Sequence, residues 1–107
     1  MQAQALVQVF LNLVVFGMDI QEAINAPRVR SYNFPNSFDP DDYVAGRIAM
    51  ESALYDKVSD ALQARRYTIE RSAHWNNEFG AVGAIVTSGD QLFAASDPRE
   101  SGVAAGR

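Results

Sequence analysis

The segment from Ala5 to Phe16 constrains the fold more than any other part of the chain. Gln4, Gln8 and Asn12 recur every four residues, so on a helix they form one narrow polar stripe. Everything else from Ala5 to Phe16 is apolar, including Leu6, Val9, Phe10, Leu13 and Val14. A helix apolar on nearly all sides belongs in the middle of a larger layered structure, not on the surface of a small one. Gly17 then stops it, because a left-handed residue after a helix costs glycine little. The apolar run is shorter than the roughly 20 residues a membrane span needs. No positive charge occurs before Arg28, whereas a secretory leader opens on Lys or Arg. The expectation is a buried helix and no membrane span.

The rest of the chain alternates helix and strand signals. Asp19-Ile20-Gln21-Glu22 has the form of a capping box and predicts a short helix through Asn25, ended by Pro27. Residues 28–43 are rich in Pro, Asn, Asp and Ser without sustained period, and read as an extended loop. That length is unusual inside a compact domain, so the loop is expected to cross a surface supplied by something else. Val44 to Glu51 alternates, with Arg47 and Glu51 on one side and Ile48 and Met50 on the other, as a half-buried strand does. Ser52 is placed to cap the next helix, whose inner face is Leu54, Val58, Ala61 and Leu62, with Arg65 and Arg66 at its C-terminal end. Tyr67 to Arg71 and Phe79 to Thr87 read as strands. Ser88-Gly89-Asp90 is a hairpin turn, and Gln91 to Ala95 is the return strand. The fold class is therefore α+β, one domain over residues 1–107, with a mostly antiparallel sheet and helices packed on it.

Charge and composition exclude several chemistries. The formal net charge is −4, and phosphate contact calls for a basic surface, so nucleic acid is not an expected partner. Without cysteine there is no disulfide framework, thiol catalysis or thiolate metal site. Asp39, Asp41 and Asp42 lie close together, but they lack the spacing and following Glu of a calcium loop and read as a solvated acidic turn. No metal and no cofactor is expected. A triad of Ser101, His74 and Asp97 can be drawn on paper, yet no nucleophile elbow supports it. His74 and Trp75, beside two Asn, read as a ligand loop or as loop aromatics packed on a sheet edge. The small residues from Phe79 to Ala84 suit close packing of the third helix on the sheet, rather than close approach of a backbone or ligand. These residues assemble no self-sufficient catalytic set.

Three segments taken together resemble a known family. They are MQAQALVQVFLNLVVFGMDIQEAINAPR over 1–28, Phe79 to Ala84 followed by Gly89-Asp90-Gln91-Leu92, and Ala94-Ala95-Ser96-Asp97-Pro98-Arg99 with the tail Ala104-Ala105-Gly106-Arg107. In this order and spacing the chain resembles the C-terminal end of the small subunit of gamma-glutamyltransferases. The resemblance implies the C-terminal portion of an N-terminal-nucleophile hydrolase, with its αββα layers. It implies an enzyme whose precursor cleaves itself and whose exposed Thr forms an acyl-enzyme with a gamma-glutamyl group, helped by an oxyanion hole.

The same resemblance implies that the nucleophile, the paired oxyanion-hole glycines and the glutamyl-binding side chains belong upstream of the matched segment. Thr68 and Thr87 match no nucleophile motif, so no catalytic residue carries over. Arg28, Asp97, Pro98 and Arg99 match recurring positions and imply a structural role, the last three as a turn whose charges pin the C-terminal strand. The first helix is implied to present its N-terminus, with Met1 and Gln2, to the active site. The implied partners are the large subunit and the N-terminal part of the small subunit, or a second copy through the first helix, together with a gamma-glutamyl small molecule. The family's habit implies a soluble protein of the periplasm or exterior. A stand-alone, noncatalytic dimerisation or binding module built on the same fold is the alternative. A small independent enzyme using His74 is a third reading.

Overall fold

A computed structural model describes residues 1–35 and 43–106. The acidic turn at Asp39, Asp41 and Asp42 lies outside the described residues. The chain forms two compact units: Met1–Ala26 with Asn77–Arg107, and Pro27–Asn76.

The first unit contains helices α1 (Gln2–Val14) and α2 (Ile20–Asn25) and a hairpin of strands β4 (Ala84–Ser88) and β5 (Gln91–Ala95). α1 ends as its sequence predicts. Gly17 is left-handed at φ +66, and the Met18 N–H returns to the Asn12 carbonyl at 3.0 Å. α2 starts on the expected capping box, in which the Asp19 side chain accepts the Glu22 N–H and the Glu22 carboxylate accepts the Asp19 N–H. Ala5, Val9, Ala23, Ile24, Val82 and Ala95 form the core of this unit, with Met1, Leu13, Ile20 and Ala84 packed against it.

The orientation of α1 is unexpected. Its polar stripe does not face solvent. Gln4, Gln8 and Asn12 are half-buried, and Asn12 Nδ2 donates to the Ala23 carbonyl of α2 at 3.2 Å. The exposed arc instead carries Leu6, Val7, Phe10, Leu11 and Val14. The hairpin is similarly bare. Its register pairs Ile85 with Ala94, Val86 with Phe93 and Thr87 with Leu92. Alternation therefore puts Ile85 and Leu92 on one face and Val86 and Phe93 on the other, and all four are exposed. The two-residue turn has Gly89 at φ +59, the first-position glycine that a type II′ hairpin calls for.

The second unit is a three-stranded sheet in the order β1 (Val29–Ser31), β2 (Arg47–Glu51), β3 (Thr68–Ser72), with helix α3 (Ser52–Gln63) connecting β2 to β3. β1 and β2 are antiparallel, and β2 and β3 are parallel. Among the described residues two of the three pairings are antiparallel, as expected; the parallel pair follows from α3, which is long enough to act as a crossover. Residues 28–43 were expected to be loop, but Val29–Ser31 is a strand because β2 supplies its ladder. β2 is shorter than the Val44–Glu51 expectation, since Val44 to Arg47 form a turn with Gly46 at φ +73 and the Arg47 N–H donating to the Val44 carbonyl.

Ser52 does not cap α3. The N-cap is Glu51, and its side chain makes no capping bond. The inner-face reading of Ala61 fails too, since Ala61 is exposed and Ser59 is the buried residue of α3. The last turn of α3 closes with the Tyr67 N–H on the Leu62 carbonyl and the Arg66 N–H on the Gln63 carbonyl. That is the Schellman pattern, here with a non-glycine, Arg66, at φ +68. The strand expected from Phe79 begins only at Ala84, because Asn77–Phe79 forms a single 3-10 turn with Phe79 fully buried. No helix among the described residues is long and apolar enough to cross a membrane.

Candidate functional site: a buried Asp97–Arg99 knot

Asp97, Pro98 and Arg99 form a tight turn just after β5. The Glu100 N–H donates to the Asp97 carbonyl at 3.3 Å. Asp at the first position and Pro at the second are the residues a type I turn favours. This places both charged side chains on the interior, where the pair is 0% and 1% exposed. Arg99 Nη1 meets Asp97 Oδ1 at 3.0 Å, and that oxygen also accepts the Arg99 N–H at 3.0 Å. The other carboxylate oxygen, Oδ2, accepts the Val82 N–H at 2.9 Å.

The guanidinium is used further. Nη1 donates to the Ile24 carbonyl and Nη2 to the Ala26 carbonyl, each at 3.0 Å. A short helix leaves its last carbonyls unsatisfied. At the end of α2, Asn12 takes that of Ala23 and Arg99 takes those of Ile24 and Ala26. A buried cation at the negative end of the helix is also electrostatically favourable. The buried pair is therefore tolerable because every partner is hydrogen-bonded as well as charged.

One more link reaches α1. The segment before β4 passes across its first turn, and Gln2 Nε2 donates to the Ala81 carbonyl. The close approach depends on Gly80. It is left-handed at φ +74, and a Cβ there would lie 2.8 Å from Gln2 Oε1 and 3.2 Å from the Ala5 Cβ. The first turn of α1 has no side-chain cap of its own.

The sequence-predicted positions thus fall into separate places. Asp97, Pro98 and Arg99 act together, and Met1 and Gln2 belong to the same unit. Arg28 lies in the other unit. It is buried, its N–H donates to Glu51 Oε2 at 2.8 Å, and its carbonyl accepts the Glu51 N–H at 3.1 Å. Glu51 was expected on an outer face but is fully buried. Its second oxygen accepts the Asn76 N–H at 3.1 Å, which holds the loop where His74 and Trp75 stack with ring centroids 4.5 Å apart. Strand periodicity conceals such a residue, because its face is set by alternation while its burial is set by the amides it meets. The paper triad does not form, since both Asp97 oxygens are committed to Arg99 and Val82. No group of three or more metal-ligating side chains occurs among the described residues.

A family model described as gamma-glutamyltranspeptidase matches residues 1–107. The chain belongs to the gamma-glutamyltranspeptidase family. It is similar to the gamma-glutamyltranspeptidase from Pseudomonas nitroreducens complexed with L-DON, at 31% identity and TM-score 0.72, over 96% of this chain and 48% of that one. In fold it also resembles the Bacillus anthracis transpeptidase enzyme CapD, at 17% identity and TM-score 0.73, over 98% of this chain and 56% of that one. A mutant Helicobacter pylori gamma-glutamyltranspeptidase is likewise similar in fold, at 20% identity and TM-score 0.66, over 92% of this chain and 48% of that one. No curated protein matches the chain. The chain spans about half the length of these gamma-glutamyltranspeptidase chains, and its α+β fold is that of the corresponding part of an N-terminal-nucleophile hydrolase.

Proposed function

We propose that residues 1–107 are the C-terminal segment of the small subunit of a gamma-glutamyltransferase-like enzyme, and that they serve it as scaffold. In this reading a Thr at the start of the small subunit, upstream of this segment, attacks the gamma-glutamyl amide of a glutathione-type donor. The amine leaves as an acyl-enzyme forms, and water or an acceptor amine then takes the glutamyl group. Oxyanion-hole donors upstream of α1 stabilise the tetrahedral intermediates. Thr68 and Thr87 sit within β3 and β4 and take no part. The chain supplies α1, whose N-terminal Met1 and Gln2 lie beside the reacting centre, and a hairpin that fills the middle of the layered core. The partners are the large subunit and the preceding part of the small subunit. The compartment is the periplasm or exterior.

The observation that carries this reading is the bareness of α1 and the hairpin. Ile85 is 69% exposed and Leu92 70%, on one hairpin face, while Val86 and Phe93 are exposed on the other. A strand pair apolar on both faces is built to be covered on both, and isolated soluble proteins rarely show such patches.

The test compares residues 1–107 alone with the longer polypeptide that contains them, using release of a chromophore from a gamma-glutamyl anilide. The isolated segment is expected to give no turnover, and the longer polypeptide to process itself and turn over. Turnover by the isolated segment, abolished by His74→Ala, would instead establish the small independent enzyme.

The exposed arc of α1 also favours a second reading, a noncatalytic module that dimerises through Leu6, Phe10 and Val14. Sedimentation separates the two. A module gives a discrete dimer with a cooperative melt, whereas a scaffold segment aggregates until the remaining chain is supplied.

A further inference from the structure

We propose that Gln2, Asp97 and Arg99 are positioning residues for the gamma-glutamyl reaction, acting through the 80–82 segment to set the first turn of α1. The inference rests on the functional reading above.

The physical chain is short and continuous. Arg99 is fixed by the Ile24 carbonyl of α2 and the Ala26 carbonyl just after it, so Asp97 Oδ1 is held by a group that cannot rotate away. Asp97 Oδ2 then fixes the Val82 N–H. The adjacent carbonyl, that of Ala81, takes the Gln2 side chain. Gly80 lets this backbone lie directly on the first turn of α1. Met1 at the N-cap makes no side-chain capping bond of its own.

The direction of dependence follows from burial. Asp97 and Arg99 lie in the interior, whereas Gln2 is exposed. A displaced Val82 therefore moves Gln2, while a lost Gln2 leaves the knot intact. Small misplacements at a reacting centre cost rate more than they cost binding, so the expected signature lies in kcat.

The test uses the complete processed enzyme carrying Gln2→Ala, Asp97→Asn and both together. Gln2→Ala is expected to lower kcat about tenfold with KM within about twofold, and to leave the melting temperature almost unchanged. Asp97→Asn lowers both kcat and the melting temperature. The double variant has the kcat of Asp97→Asn alone, because both act through one segment. Hydrogen exchange at the Ala5 amide, which donates to the Met1 carbonyl, quickens in each variant. Should Asp97→Asn fail to fold, Gly80→Ala takes its place, since it disturbs the same segment. Multiplicative effects on kcat, or a Gln2→Ala enzyme with unaltered kcat and Ala5 exchange, overturn the proposal. A wild-type enzyme without gamma-glutamyl turnover overturns the functional reading instead, and the Ala5 exchange results still test the coupling.

Discussion

The two units of this chain both bury charged residues, but they differ in where the Asp97–Arg99, Arg47–Glu70 and Arg71–Asp56 ion pairs lie. In Met1–Ala26 with Asn77–Arg107, the ion pair is interior, and both Asp97 oxygens and both Arg99 Nη atoms are tied to backbone. Pro27–Asn76 buries Arg28 and Glu51 as well, but two of its ion pairs lie at the surface. Arg47 forks onto Glu70 at 2.6 and 2.9 Å, with Tyr32 stacked 4.1 Å from the guanidinium. Arg71 forks onto Asp56 at 3.1 and 3.2 Å, joining β3 to α3. The ion-pair distances are good in both units. Environment decides their worth, since breaking a buried pair strands a charge away from water while a surface charge is simply rehydrated.

The largest effect follows from Asp97→Asn, which removes the carboxylate charge that the buried Arg99 guanidinium meets at 3.0 Å. The expected loss is about 3–5 kcal/mol, read by urea unfolding of the complete enzyme. Exchange of the amides in α1, α2 and the hairpin should accelerate most. Replacing both partners by apolar residues should not rescue stability, because the Ile24 and Ala26 carbonyls and the Val82 N–H would still lose their partners. A double replacement as stable as the wild type would make the pair an ordinary, dispensable buried ion pair.

Gly80→Ala comes next. The position is left-handed, and the new Cβ would meet Gln2 Oε1 at 2.8 Å. Strain of this kind costs about 1–3 kcal/mol. Because Gln2 is flexible, the double variant Gly80→Ala with Gln2→Ala should recover part of the loss. No recovery would show that the backbone angle alone sets the cost.

Much of this was legible from local chemistry, and the failures share a cause. Gly17, the Asp19 capping box, the Gly89 turn and the Asp97-Pro98-Arg99 turn are decided by a few adjacent residues, and each forms as expected. The apolar excess of α1 leaves Leu6, Phe10 and Val14 exposed. What the sequence did not reveal was which arc of α1 its own unit would take. The small patch of Ala5 and Val9 packs inward, and the polar stripe follows it because Asn12 meets an α2 carbonyl. Likewise β1 depends on β2 for its ladder, and Glu51 depends on amides at positions 28 and 76. Such pairings are set by distant residues, so no local period announces them.

Arg66 offers a smaller effect of opposite sign in the second unit. It occupies the left-handed position of a Schellman ending, where glycine pays no Cβ penalty. Arg66→Gly is expected to stabilise by about 0.5–1 kcal/mol, with slower exchange confined to α3 and β3. A destabilised variant would mean that the Arg66 side chain contributes more than its backbone costs.

The smallest effect separates the two kinds of ion pair by pH. Hydrogen bonding to Arg71 holds the Asp56 carboxyl below its ordinary value of 3.8, and hydrogen bonding to Arg47 holds Glu70 below 4.5. A carboxyl with a depressed folded pKa stabilises fully above its unfolded value, and that contribution disappears as pH falls through the folded value. These pairs are therefore intact at neutral pH and fail only below about pH 4. Both are exposed enough for salt to screen them. Arg71→Gln should raise the acid-unfolding midpoint slightly at low ionic strength and leave it unmoved at about 1 M salt. Asp97→Asn, by contrast, should remain destabilising at both salt concentrations, because its partner lies beyond the reach of mobile ions. If high salt rescued Asp97→Asn to the same degree as Arg71→Gln, burial would not distinguish the two units.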